Sequence, residues 1–176
     1  MKMKRTNDQT GAGFTLLEMA ISLAMLATLS TSSMVLVRTT YSAWNRHEDE
    51  HLRQRAAVAV LRHLVRKARQ AVAVSAISNA SDTSGTVSLL TSSGDLLVWN
   101  HDGATNEVRF GTNGATDLLA KNIEEFSLVG IQADGLTPTT DVSLIHSIRC
   151  IVKYLSVHPG GTQLKTVSCQ AWLRSW

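Results

Sequence analysis

Polar and apolar positions divide this chain into stretches of different period. Residues 1–13 are hydrophilic, with no apolar repeat. From Phe14 to Val37 the chain runs 24 residues with one charge, Glu18. At about 1.5 Å per residue such a helix reaches roughly 36 Å, enough to cross a hydrocarbon core of about 30 Å. Beyond Val37 the pattern turns amphipathic. Leu52, Ala56, Ala59, Val60, Leu64, Ala68 and Ala71 recur at three and four, and Arg55, Arg62, Arg66 and Arg69 fall on the other side. No proline or glycine interrupts residues 14–74. The spacing therefore predicts one long helix, apolar over 14–37 and amphipathic over 38–74.

The remainder, residues 75–176, reads as β structure. Ser75–Gly85 is a loop by composition, followed by strand candidates at Thr86–Leu90, Asp95–Asn100 and Glu107–Gly111 with Ser-Gly-Asp and Asp-Gly turns between them. Leu118–Gly130 reads as a short turn of helix leading into a strand, and Gly135–Asp141 as a Pro/Thr loop. Val142–Val157 and Thr162–Leu173 flank the turn His158-Pro159-Gly160-Gly161. If Val157 pairs with Thr162, the register carries back to Cys150 opposite Cys169. Directly opposed residues have Cβ atoms roughly 4.5–5.5 Å apart, and a disulfide needs about 3.5–4.5 Å, so a slight pinch suffices. A disulfide in an oxidising compartment and two buried thiols both fit this placement. The predicted fold class is α+β, with a long N-terminal helix packed on a small antiparallel sheet.

Charge changes this picture in one respect. The formal net charge of +3 conceals a split. Residues 38–69 carry eight basic and three acidic side chains, whereas residues 70–176 carry six basic and nine acidic. The basic excess belongs to the helix, where it reads as a solvated or partner-facing stripe. Aromatic interleaving is nearly absent there, so no nucleic-acid partner is expected.

Catalytic chemistry is sparse. No Gly-rich phosphate loop, Gly-x-Ser-x-Gly elbow or Cys–His nucleophile pattern occurs. His47-Glu48-Asp49-Glu50-His51 matches the string H-E-x-x-H, which in a zinc protease places two histidines and a glutamate base on one helix face. Here no third ligand or pocket-forming neighbour is evident, so a membrane-anchored metalloprotease remains the remote alternative. Asp102–Glu107 offers carboxylates at a turn but lacks the density of a dedicated calcium loop. No metal, cofactor or enzymatic activity is assigned.

The stretch Gly13-Phe14-Thr15-Leu16-Leu17-Glu18, preceded by a basic leader and followed by an apolar helix, resembles the processing motif of type IV prepilins and type II secretion pseudopilins. The resemblance covers these six residues and about twenty of compatible helix. It implies that prepilin peptidase cuts between Gly13 and Phe14 and that Phe14 is then N-methylated. Glu18 would neutralise the Phe14 ammonium of a neighbouring subunit as a filament assembles. An alternative role for Glu18 is local, as a carboxylate favoured at a helix N-terminus. An ordinary signal peptide cut within Thr28–Ser33 is the alternative for the whole segment. The same small polar patch invites either local unwinding or close helix packing.

Val60–Ala71 and Leu118–Gly130 are also similar to segments of J-type minor pseudopilins and related minor pilins. The expected role is thus a structural subunit of a secretion pseudopilus, or else of a pilus for adhesion, motility or DNA uptake. The implied partners are prepilin peptidase, other pilins or pseudopilins, and an inner-membrane platform with its ATPase. The implied location is the inner membrane, crossed once, with the head in the periplasm or outside the cell.

Overall fold

The computed structural model describes residues 14–158 and 161–173. The expected leader, its last residue Gly13, and the turn residues Pro159 and Gly160 lie outside them. One helix, α1 (Leu16–Ala68), precedes nine strands: β1 (Ala71–Ile77), β2 (Thr86–Thr91), β3 (Leu96–Asp102), β4 (Glu107–Thr112), β5 (Asp117–Lys121), β6 (Glu125–Ile131), β7 (Pro138–Thr139), β8 (Ser147–His158) and β9 (Gly161–Trp172). The α+β class with a long N-terminal helix is as expected. Two compact units divide the chain, residues 1–45 and 46–176.

In the first unit every described residue is helical from Leu16 onward, and every one is exposed. The Thr28–Ser33 patch stays helical. Three of its hydroxyls turn back onto the helix: Thr28 Oγ1 donates to the Met25 carbonyl at 2.8 Å, Thr31 Oγ1 to Ala27 at 2.9 Å and Ser32 Oγ to Thr28 at 2.8 Å. These side chains thus carry no unmet donor into an apolar environment.

In the second unit the expected single sheet is two antiparallel sheets, ordered β1-β2-β3-β4-β5 and β7-β6-β8-β9. Backbone hydrogen bonds join them, Phe126 N–H to the Thr83 carbonyl at 2.8 Å and Gly85 N–H to the Phe126 carbonyl at 2.7 Å. Ala57, Val60, Leu61, Leu64 and Ala68 of α1 are buried with Trp99, Leu89 and Val108 of one sheet and Phe126, Leu128 and Val152 of the other. The buried stripe is rotated from the predicted one. Leu52 and Ala59 are exposed, because the bulkier run Val60-Leu61 and Leu64 directs the helix face inward.

Several element boundaries differ from the sequence reading. Val142–Leu144, read as the start of a strand, forms a 3-10 turn ahead of β8, and Pro138–Thr139, read as loop, pairs with β6 as β7. The helix stops at Ala68 rather than Val74, and Ala71–Ile77 pairs with β2. Ala-Val-Ala-Val suits either structure, and the neighbouring strand decides. Residues 75–77, read as loop, complete β1. Leu118 begins no helical turn but lies in β5, paired with Arg109 of β4. Asn106, Asn113 and Asn122 take left-handed φ of 54°, 60° and 61°; the first two reverse the chain between β3, β4 and β5, and Asn122 stands where it passes from β5 to β6. The β8–β9 register is the one read from the turn, with Val157 opposite Thr162 and Cys150 opposite Cys169.

Candidate functional site

The start of α1 is built from Thr15, Leu16, Leu17 and Glu18. Glu18 Oε2 accepts from the Thr15 backbone N–H and from Thr15 Oγ1, both at 3.0 Å, and the Glu18 N–H donates back to Thr15 Oγ1 at 3.2 Å. This is a reciprocal capping box, in which two N-terminal donors that have no intrahelical partner are satisfied by side chains. The Thr-x-x-Glu signature stands in the sequence at 15–18, so the cap was readable there; attention to the charge alone passes over it. The cap holds the carboxylate against Thr15 at the helix start. Glu18 therefore has a local role whether or not it has an intersubunit one.

Around it the surface is apolar. Phe14, Leu16 and Leu17 are 79%, 90% and 70% exposed, and Leu23, Met25, Leu26 and Leu29 are exposed as well. This part of α1 is long and apolar enough to cross a membrane. An apolar surface of this extent is compatible with a membrane span, an interaction face or a signal sequence, since soluble monomers rarely leave so much apolar area uncovered.

The histidine pair does not extend into a site. His47, Glu48 and His51 are exposed on α1, whereas Glu50 turns toward the sheet. Its Oε1 accepts from Ser156 Oγ at 2.8 Å and from Lys165 Nζ, which raises the lysine's pKa chiefly through that hydrogen bond. Among the described residues, no three His, Cys, Asp or Glu side chains converge as a metal cluster would. The Asp102 carboxylate closes its own turn, accepting from the Ala104 N–H at 2.9 Å and Thr105 Oγ1 at 2.8 Å, and these bonds lower its pKa. Glu107 is occupied by Arg109 at 2.9 Å and Lys121 at 3.2 Å.

Cys150 is fully buried and Cys169 half-buried, as opposed thiols in adjacent strands. Burial pushes both thiol pKa values up, Cys150 strongly, and the neighbouring sulfur adds to the Cys150 shift. Few thiolates form at neutral pH, so neither sulfur is primed for nucleophilic catalysis.

His63 was not singled out by any sequence pattern. Its Nδ1 accepts from Trp99 Nε1–H at 3.2 Å, and its ring meets Phe110 edge-on with centroids 4.4 Å apart. Burial lowers its pKa, assisted by Arg66 and Lys67. Nothing in local spacing announces this contact, which the pairing of β3 with β4 assembles. Comparison with known protein families, with curated proteins and with solved structures finds no match to this chain.

Proposed function

We propose that this chain is a minor pseudopilin, a structural subunit of a type II secretion filament that assembles through its N-terminal helix. The observation that carries this reading is the lone carboxylate, Glu18, at the head of an otherwise uncharged and uncovered apolar helix, directly after the Gly13-Phe14 step. The sequence resemblance supplies the filament, and the exposed helix supplies a surface in need of one.

The physical logic is an exchange of environments. In the membrane the residues 14–37 contact lipid; in a filament they contact the helices of neighbours. Apolar surface is equally content in both, so packing and charge must specify the register. Prepilin peptidase cuts after Gly13, where the missing side chain lets the backbone approach closely. The new Phe14 ammonium and the Glu18 carboxylate of an adjacent subunit then neutralise each other in a low-dielectric setting, where an unpaired charge is costly. Cutting, methylation and energy supply are the work of the peptidase and the assembly ATPase. A type IV pilus subunit uses the same parts, and the identity of the neighbouring subunits separates the two.

The test is Glu18→Gln in cells that make the machinery. The variant is expected to enter the membrane and be processed normally but to fail to join filaments. Incorporation at the wild-type level would remove the charge-pairing basis of this reading.

A further inference from the structure

Arg55, Arg62 and Arg66 on the outer face of α1, with Arg69 in the turn directly after it, form one stripe of four arginines. Arg55, Arg62 and Arg69 are spaced by seven, with Arg66 one turn beyond Arg62, so all four keep to one face with a drift of about 20° per heptad. All are exposed, and among the described residues no carboxylate forms an ion pair with any of them. A groove lies on each side of the stripe. One, of about 740 Å³, is lined by Val58, Ala59, His63 and Leu119 together with Arg55 and Arg62. The other, of about 450 Å³, is lined by Val58, Leu61, Val65 and Cys169 together with Arg66 and Arg69.

Apolar floors beside guanidinium ridges favour one class of occupant. A nucleic acid would use the charge but not the valines and leucines, and α1 offers no Phe, Tyr or Trp from Arg46 to Ala68 on which a base would stack. The α1 of a second copy of this chain is a poor match. Its acidic residues on this part of α1 are Glu48, Asp49 and Glu50, consecutive positions spread through about 200° of the helix. Glu50 is already held by Ser156 and Lys165. Copy against copy on this face therefore sets arginine against arginine.

We propose that the Arg55–Arg69 face docks an amphipathic helix of a different protein, one that presents carboxylates along a stripe and apolar side chains to either flank. The stripe is about 21 Å long, so the partner contributes roughly four turns. Helix-in-groove docking of this kind draws affinity from the apolar flanks and orientation from the charges. That the partner is another filament subunit rests on the function proposed above; the acidic chemistry does not.

The test uses the full chain in detergent micelles and a labelled synthetic helix of about 18 residues with glutamates at every seventh position between leucines. Binding is expected, weakened about tenfold or more by Arg62→Glu with Arg66→Glu. A companion peptide with lysines in place of the glutamates should bind the double variant and not the native chain, which shows that the variant is folded. Failure of the acidic peptide to bind, indifference to the reversal, or preference for a DNA duplex over the peptide would overturn the proposal. In cells, a photocrosslinker replacing Ala59 should attach to a different chain bearing an acidic helix; attachment to a second copy of this chain also overturns it. A crosslinker replacing Leu23 tests the filament alone. Filament neighbours at Leu23 without the acidic helix at Ala59 leave the filament standing and remove the docking face, and the reverse pattern does the opposite.

Discussion

Thr15 and Glu18 cap the start of α1 together, each side chain bonded to the other residue's backbone N–H. This separates two tasks of the carboxylate. Thr15→Ala removes the cap and should cost the helix start about 1 kcal/mol without touching the charge. Filament incorporation, read as the fraction of subunit crosslinked to neighbours, should survive Thr15→Ala and be lost in Glu18→Gln. Equal loss in both would reduce Glu18 to a capping residue.

Cys150 and Cys169 are expected to join as a disulfide when the head folds in an oxidising compartment, with both thiols oxidised by a disulfide donor that takes up the two electrons. The closed loop should stabilise the head by about 3 kcal/mol. Intact mass and maleimide labelling of the denatured chain read this directly. Two labelled thiols in protein taken from the periplasm would show the pair to be structural thiols.

His63 predicts an acid-sensitive head. Its folded pKa is lowered by burial, then by Arg66 and Lys67, so the unfolded chain binds the proton more readily. Stability is therefore complete above the ordinary histidine range near pH 6.5 and falls as pH drops below it. Protonation also competes for the lone pair on Nδ1 that accepts from Trp99. Thermal unfolding followed by tryptophan fluorescence should show a smaller loss between pH 7.5 and pH 5 in His63→Gln than in the native chain. Parallel pH profiles would place the sensitivity elsewhere.

Gly85 is predicted to be intolerant of a side chain. A Cβ there would lie 2.6 Å from the Phe126 carbonyl oxygen, at the hydrogen bond that joins the two sheets. Gly85→Ala should destabilise by about 1–3 kcal/mol in denaturant unfolding. Gly114→Ala, where a Cβ meets nothing within 4 Å, should be near neutral. Similar midpoints for the two variants would contradict the close approach.

Local pattern made much of this architecture legible. The uncharged run and the three-and-four spacing announced α1, and the turn at 158–161 was enough to set twelve paired positions of β8 and β9, including the cysteines. The signals failed where tertiary partners decide. Ala71–Val74 continues a helical composition but is captured by β2, and Leu118–Lys121 gains its extended form from β4. The junction of the two sheets rests on Gly85 meeting Phe126, a contact between residues far apart in the chain. For the site, the charge at Glu18 was evident, whereas the Lys165 and Ser156 partners of Glu50 lie more than a hundred residues away and no spacing rule reaches them.

The most direct test of the central claim is crosslinking from the head in living cells, followed by mass spectrometry of what is attached. The account predicts other pseudopilins and secretion-channel proteins. A chain recovered alone and still carrying residues 1–13 would contradict it.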